Sequence, residues 1–202
     1  MAFIVVEGGE GVGKSTQVEL LVAKLRAAGH EVDQTREPGG TPEGARLRER
    51  LLHDPRAVGP EEELDLMLVD RKIHLEQRIG PALARGMVVV CDRFSPSTIA
   101  YQGVARGMGL EYVEARCRAV TAGCEPDVVV VLDLPDEVAE ARVSGERDRF
   151  EREGAEFHAA VRNAYRELAE DRGWVIVDAS GSPEEVASRV WAVVRPHLGP
   201  ST

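Results

Sequence analysis

The chain has 202 residues, 43% of them hydrophobic, which suffices for one compact domain over residues 1–202 and is short for two. A net charge of -10 excludes generic binding to nucleic acid or to an acidic membrane face, because polyanion binding by field alone needs a basic surface. The three cysteines (Cys91, Cys117 and Cys124) form no CxxC pair, so reduced, mostly buried thiols are expected, and neither disulfides nor a zinc site.

Apolar runs and amphipathic stretches alternate from the start of the chain. The first run, residues 3–6, follows no basic leader and is too short for a signal peptide or a membrane span, so a cytoplasmic location is expected. Strands buried on both faces are predicted at residues 3–6, 87–90, 128–132 and 174–177, with a weaker strand at 31–35. Amphipathic helices are predicted at residues 15–28, 61–84, 111–122, 135–144, 155–171 and 183–197.

This alternation predicts the fold class. It is typical of an α/β three-layer sandwich, in which a five-stranded parallel sheet carries helices on both faces. Ligands of such sheets gather at the carboxyl ends of the strands. The segments that follow those ends hold most of the unusual Gly, Pro, Asp and Arg residues, and they are residues 7–15, 36–41, 92–103 and 133 onward.

The segment after the first strand matches GxxxxGK[ST], the phosphate loop (P-loop), as Gly8-Gly9-Glu10-Gly11-Val12-Gly13-Lys14-Ser15. Its glycines let successive N–H groups and the helix N-terminus face the phosphates of ATP. Lys14 is expected to reach the β- and γ-phosphates, Ser15 to coordinate Mg²⁺, and Thr16 to belong to the same ATP-binding segment. A chance Gly-rich turn before a helix is the alternative interpretation.

Missing motifs narrow the class of P-loop protein. Asn163 is the sole asparagine and is followed by Ala, so the sequence contains no NKxD guanine-reading motif. A signature of the LSGGQ type is absent as well. Both absences favour a small kinase over a GTPase switch or a motor.

Two further clusters follow strand ends. Thr35-Arg36-Glu37-Pro38-Gly39-Gly40-Thr41 places an arginine beside a turn, and an ordinary strand-to-helix turn is its alternative interpretation. Cys91-Asp92-Arg93-Phe94-Ser95-Pro96-Ser97-Thr98-Ile99-Ala100-Tyr101-Gln102-Gly103 follows the third strand and also fits a helix start at Ser95-Pro96. Its polar side chains suit a phosphorylated acceptor, with Arg93 for the phosphate, Asp92 near the metal, and Thr98, Tyr101 and Gln102 for sugar and base.

Together the P-loop and these two clusters resemble the bacterial thymidylate kinases, a family of the P-loop nucleoside monophosphate kinases. The resemblance runs in order from residue 3 to about residue 180. It implies phosphorylation of dTMP to dTDP by ATP, with Mg²⁺ as the cofactor, in an enzyme that is usually a homodimer. ATP and dTMP are therefore the expected small-molecule partners.

Carried over by position, the resemblance assigns substrate contacts. It places the dTMP phosphate on Arg93 and Arg48, with Arg36 nearby, and Glu10 near the acceptor sugar and phosphate. Arg71 matches an arginine that contacts thymine, with Thr98 and Gln102 completing base recognition and Tyr101 favouring deoxyribose. Met67 stands where the family usually has a phenylalanine stacked on thymine, and helix core is its alternative role.

The charged run Arg142-Val143-Ser144-Gly145-Glu146-Arg147-Asp148-Arg149-Phe150-Glu151-Arg152-Glu153 is predicted to be a lid, with a solvated face as the alternative. Phosphoryl transfer needs cations beyond Mg²⁺ and the loop lysine, and the P-loop holds no arginine. The Gly-Glu-x-Asp-Arg pattern resembles the family's lid. It makes Arg147 and Arg149 catalytic candidates, beside Lys14, Arg93 and Asp92, and places Arg142 near ATP.

Asp178-Ala179-Ser180 resembles the family's adenine-side loop. Two alternatives to dTMP phosphorylation stay open at this point. One is a kinase for another nucleoside monophosphate or a deoxynucleoside, and the other is a nucleotide-binding module without turnover.

Overall fold

Five parallel strands form one sheet in the computed structural model, which describes residues 1–54, 59–143 and 147–199. The strand order is β2-β3-β1-β4-β5, so β1 lies at the centre. The predicted parallel sheet is confirmed, and each predicted strand is present. The strands are β1 (Ala2–Gly8), β2 (Val32–Arg36), β3 (Val88–Asp92), β4 (Val128–Asp133) and β5 (Val175–Asp178).

Helices connect the strands and cover the sheet. The regular helices are α1 (Lys14–Ala27), α2 (Pro42–His53), α3 (Pro60–His74), α4 (Gly80–Ala84), α5 (Ser95–Thr98), α6 (Leu110–Thr121), α7 (Asp136–Glu140), α8 (Ala155–Arg172) and α9 (Pro183–Val194). Two π-helical segments, Leu75–Ile79 and Ile99–Ala105, follow α3 and α5, and a 3₁₀ turn, Arg195–His197, follows α9. In the part of the chain that the structure describes, no helix is both long and apolar enough to cross a membrane.

The core lies in two layers, one on each face of the sheet. Phe3 and Val5 of β1 point into one layer while Ile4 and Val6 point into the other, as the two-residue period of a strand requires. Residues of α3, α6 and α8 complete the first layer, and residues of α1 and α9 complete the second. The result is the predicted three-layer sandwich.

Strand β5 differs from its prediction of burial on both faces. Val175 is 37% exposed and Ile176 is 42% exposed, because β5 is the edge strand next to β4. Continuous apolar runs indicate a buried strand only where neighbours cover both sides. The apolar run at residues 174–177 therefore predicted a strand correctly, but the prediction that this strand is buried on both faces was wrong.

Helical predictions also need correction. Helix α2 was not predicted, although Thr41 caps it by accepting a hydrogen bond from the Gly44 N–H at 3.0 Å. The helix predicted at residues 61–84 contains a π-helical segment, where the Gly80 N–H donates to the Leu75 carbonyl five residues back. The helix predicted at residues 135–144 ends at Glu140 and continues as a turn in which the Arg142 N–H donates to Ala139.

Candidate active site

The P-loop joins β1 to α1 at the carboxyl edge of the sheet. Two of its glycines are required by close contacts and by positive φ angles. A Cβ on Gly8 (φ 136°) would collide with the carbonyl oxygen of Leu132, and one on Gly11 (φ 71°) with that of Ala139. The loop can pass between β4 and α7 only because it carries no side chains at these two positions.

Beside the P-loop lies a cleft of about 700 Å³ that suits the phosphates of a nucleotide. Helix α1 points its N-terminus into the cleft, where N–H groups and the helix dipole favour an anion. It brings together most of the predicted ATP-binding residues, the predicted metal ligand Asp92 and three arginines that were predicted to bind the acceptor phosphate: Glu10, Gly11, Val12, Gly13, Lys14, Ser15, Thr16, Arg142, Asp92, Arg36, Arg48 and Arg93. Ala179 of the predicted adenine-side loop also lines it, with Gly181 and Pro183.

Lys14 lies at the bottom of this cleft and is 8% exposed. Its Nζ donates to the Gly9 carbonyl at 2.5 Å, so the ammonium is folded back over the loop. Burial, with help from the Arg93 charge, lowers the pKa of Lys14. A buried cation of this kind is stabilised when an anionic phosphate enters the cleft.

Ser15 and Asp92 form the predicted metal pair. The Ser15 hydroxyl donates to Asp92 Oδ2 at 3.1 Å, so two oxygen ligands converge between α1 and the end of β3. Within residues 1–54, 59–143 and 147–199, no cluster of three or more His, Cys, Asp or Glu forms a ready-made metal cage. Two oxygen ligands nonetheless fit Mg²⁺, which proteins commonly hold through one or two side chains together with substrate phosphates and water.

Arg93 has an unusual backbone, with a φ of 72°. Left-handed backbone is rare for residues other than Gly, Asn and Asp, and where it occurs the surrounding structure must hold it. The Arg93 side chain donates to the Gly8 carbonyl and to Ser97 Oγ, each at 3.1 Å, and its guanidinium lies 5.1 Å from the centre of the Tyr101 ring. These contacts aim Arg93 at the gap between P-loop and acceptor.

Glu10 joins the donor and acceptor sides. It forms an ion pair with Arg93, and the Tyr101 hydroxyl donates to the same carboxylate oxygen at 2.9 Å. Burial tends to raise the pKa of Glu10, but the charges of Arg93 and Lys14 outweigh it and lower the pKa to about 2. The carboxylate is therefore ionised at any physiological pH.

A second, smaller pocket opens beyond Glu10. It is lined by the predicted substrate residues except Arg36, which lies in the phosphate cleft: Glu10, Arg48, Met67, Arg71, Arg93, Thr98, Tyr101 and Gln102. Pro38 also lines it, and its carbonyl accepts a hydrogen bond from Arg48 at 3.0 Å. We call this the acceptor pocket.

Arg71 is fixed at the bottom of the acceptor pocket and is 2% exposed. Its Nε donates to Glu37 at 2.9 Å and its Nη2 donates to Thr98 at 2.9 Å. The other Glu37 oxygen pairs with His74 Nδ1 at 2.9 Å, and the far side of the His74 ring contacts Thr35 Oγ1 at 2.6 Å. This buried chain sets the position of Arg71 before any substrate binds.

The segment predicted to be a lid extends over both sites. Arg142 lines the phosphate cleft. Arg147 Nη2 lies 3.8 Å from Glu140 Oε1, and both residues line a third cavity between the P-loop and α7. Arg149 reaches the acceptor side, where its Nη2 lies 2.6 Å from Glu63. Residues 144–146, which belong to the predicted lid pattern, lie outside the described residues.

Three buried carboxylates of the site were missed by sequence reasoning: Glu7, Glu37 and Glu63. Glu7 accepts hydrogen bonds from the Phe94 N–H at 2.8 Å and the Tyr165 hydroxyl at 2.7 Å, which holds the loop that carries Arg93. Burial raises the pKa of Glu7. The sequence feature that could have identified Glu7 is a single acidic residue near the end of an otherwise apolar strand.

The position of Glu63 on helix α3 could have identified it from the sequence. Glu63, Met67 and Arg71 are spaced by four residues and therefore lie on one face of the helix, which faces the acceptor pocket. Glu61 and Glu62, in the same acidic run, are exposed. Periodicity counted back from Arg71 would have separated Glu63 from its neighbours.

A P-loop at the carboxyl edge of a parallel sheet, facing a second pocket lined by arginines, defines a P-loop nucleotide kinase. The family model for thymidylate kinase matches residues 6–190, which is most of the chain. The chain belongs to the thymidylate kinase family. This settles the choice between a small kinase and the other P-loop classes.

Similar curated proteins agree with this assignment. A thymidylate kinase from a Synechococcus species (strain JA-2-3B'a(2-13)) is 51% identical over 199 residues, covering 97% of this chain and 95% of the relative. One from Pseudomonas fluorescens is 51% identical over 186 residues, covering 90% and 88%. One from Halothermothrix orenii is 44% identical over 198 residues, covering 96% of each chain.

Proposed function

We propose that this protein transfers the γ-phosphoryl group of ATP to dTMP and releases dTDP and ADP. Membership of the family supports this activity, as do the names of its relatives. The observation that carries it is the overlap of two sites: Glu10, Arg48 and Arg93 line both the phosphate cleft and the acceptor pocket. Donor and acceptor phosphates would meet at these shared residues.

Positioning and charge neutralisation perform the catalysis. An acceptor phosphate with a second pKa of about 6 is largely dianionic near neutrality, so an oxygen of it attacks the γ-phosphorus without a strong general base. Arg93 and Arg48 hold the acceptor phosphate, and Lys14 holds the β- and γ-phosphates. Ser15 and Asp92 hold Mg²⁺, which neutralises charge on the ATP phosphates when bound.

The lid supplies the remaining positive charge, because the P-loop contains no arginine. Arg142 acts from the donor side, Arg147 from the rim, and Arg149 from the acceptor side. A lid that covers both sites also excludes water, which would otherwise attack ATP.

We infer that the enzyme works as a homodimer in the cytoplasm, as the resemblance and its two substrates suggest. Large apolar side chains are exposed on α3, on the π-helical segment after α5 and on α6: Val69, Val104 and Tyr112. Light scattering on the purified protein would test the dimer, and a monomer at micromolar concentration would contradict it.

A panel of acceptors tests the activity directly. With ATP and Mg²⁺, we expect dTMP to give the highest kcat/KM among dTMP, dUMP, dCMP, dGMP and dAMP. A deoxynucleoside such as thymidine should not serve, because the acceptor would lack the phosphate for Arg93 and Arg48. If another acceptor exceeded dTMP, or if ATP bound without turnover, the proposal would be overturned.

A further inference from the structure

Behind the lining of the acceptor pocket lies a buried carboxylate to which the proposed reaction assigns no task. Glu63 on α3 is 0% exposed, and a buried carboxylate is strongly unfavourable unless cations and donors surround it. Its partners come from two segments: the Gln102 side chain at 2.7 Å and Arg106 at 3.2 Å from the π-helical segment and its C-cap, and Arg149 at 2.6 Å from the predicted lid. Two of these are cations and the third is an amide.

The contact with Gln102 determines which way its amide points. A carboxylate can only accept hydrogen bonds, so the Gln102 atom at 2.7 Å from Glu63 must be the NH₂ group. The other end of the amide is then the carbonyl Oε1. That oxygen is buried and has no hydrogen-bond partner among the described residues, while Gln102 lines the acceptor pocket.

We propose that Glu63 determines base specificity by holding the Gln102 amide so that its oxygen, and not its NH₂ group, is offered to the acceptor base. This inference rests on the proposed function and deepens it. Glu63 is a positioning residue, because it acts through Gln102 and does not itself line the pocket. Arg106 and Arg149 form the ion pairs that offset the cost of burying this carboxylate.

Arg71 supplies the other half of the recognition. A guanidinium has only donors, and the contacts to Glu37, Thr98 and Cys117 engage three of its five N–H groups. A donor from Arg71 and an acceptor from Gln102 together read a carbonyl next to a ring N–H. Thymine and uracil present this pair as O4 and N3–H, whereas cytosine presents an amino group and an unprotonated N3.

A wrongly matched base would leave buried polar groups unpaired on both partners. Sites that hydrogen-bond a substrate group discriminate strongly for this reason. If the Gln102 amide were free to rotate, it could offer NH₂ to cytosine N3 and part of the discrimination would vanish. The carboxylate of Glu63 prevents that rotation.

The variant Glu63→Gln tests the inference, because it keeps the shape and removes the carboxylate. An amide at position 63 has one accepting oxygen for donors from Gln102, Arg106 and Arg149, so it no longer dictates the orientation of Gln102. We expect the ratio of kcat/KM for dTMP to that for dCMP to fall about tenfold or more, with the KM for ATP unchanged. Glu62→Gln, an exposed neighbour on the same helix, is the matched control and should keep the wild-type ratio.

The inference is overturned if Glu63→Gln keeps the wild-type ratio while activity on both nucleotides falls together. Should that variant fail to fold, the wild-type enzyme supplies a second measurement with N3-methyl-dTMP, which lacks the ring N–H. We expect it to compete poorly with dTMP, and equal competition would contradict an accepting Gln102 oxygen. Failure of the proposed function is distinct, since wild-type enzyme would then form no dTDP from dTMP.

Discussion

The donor and acceptor sides of this active site are built from different materials. The donor side uses backbone N–H groups of the P-loop, a helix N-terminus and cleft-lining side chains such as Lys14 and Ser15. The acceptor side uses buried carboxylates: Glu37 forms an ion pair with Arg71, and Glu63 accepts a hydrogen bond from the Gln102 amide. The first recognises phosphate, which every nucleotide carries, and the second must distinguish one base from others.

This difference separates catalysis from stability. A change on the donor side removes an interaction with the nucleotide and leaves the core intact. Removing an acceptor-side carboxylate that pairs with a buried cation, as Glu37 does with Arg71, leaves that cation without its partner, so the whole fold is weakened. Variants on the two sides should therefore fail in different assays.

The largest effect is expected on the donor side, at Lys14. Lys14→Met keeps the length of the side chain and removes the charge that faces the phosphates. We expect kcat to fall by about a thousandfold, the upper range for removing one preorganised donor. Urea unfolding should be little changed, because burial of Lys14 gives no stability of its own.

Lys24→Met is the control for this experiment. Lys24 lies on α1, the same helix as Lys14, and is exposed. Its ammonium lies 4.8 Å from the centre of the Trp191 ring on α9. It should retain wild-type kcat. A Lys14→Met enzyme within tenfold of wild-type kcat would remove Lys14 from its proposed role.

The next effect concerns stability and lies on the acceptor side. Glu37→Gln leaves Arg71 buried without its charged partner, and we expect the free energy of unfolding to fall by about 3 kcal/mol. Asp65→Asn, which breaks the exposed pair with Arg116, should lower it by less than about 1 kcal/mol. Urea denaturation followed by circular dichroism measures the free energy of unfolding of wild type, Glu37→Gln and Asp65→Asn. An equal loss in the two variants would contradict the proposed difference between the buried and the exposed ion pair.

The smallest effect is a pH dependence from Asp70 on the acceptor side. Burial, and then the charge of Glu37, raises the pKa of Asp70 to about 6, although the Gly39 N–H donates to it at 3.1 Å. Between the unfolded value of 3.8 and 6 the folded state binds the proton more tightly, so this group lowers stability as pH rises. Asp70→Asn should become more stable relative to wild type by on the order of 2 kcal/mol between about pH 4 and about pH 7.

Unfolding free energies of both proteins measured across that range check the sign. A gap between Asp70→Asn and wild type that stays constant would show that the pKa of Asp70 is not raised by folding, and a gap that narrows as pH rises would show that it is lowered; either result contradicts the prediction. The same scan on Asp178→Asn is a suitable control, because the Asp178 side chain is exposed and its pKa is lowered by its bonds to Ser180.

Features dictated by local chemistry were predictable from the sequence. Continuous β-branched runs predicted the strands, and GxxxxGK[ST] predicted the loop at the end of β1. Helix α2 was missed because five of its twelve residues are charged and they interrupt its few leucines, although Thr41-Pro42 marks its start. The exposure of β5 could not be predicted, since strand order is a property of the assembled sheet.

The acceptor side was predictable in its residue list and not in its geometry. Resemblance placed Arg71, Thr98 and Gln102 together, and the structure brings them to one pocket. The π-helical segment Ile99–Ala105, which carries Tyr101 and Gln102, depends on packing against α6 and α8. The burial of Glu63, by contrast, could have been predicted from its four-residue spacing to Met67 and Arg71.

The contacts that hold the Arg93 side chain have a consequence for binding. A flexible arginine loses up to about 2 kcal/mol of side-chain entropy when a ligand immobilises it. The Arg93 side chain loses this entropy when the protein folds, because Glu10, Ser97 and the Gly8 carbonyl already hold its guanidinium. The nucleotide meets a rigid receptor, and more of its contact energy with Arg93 becomes affinity.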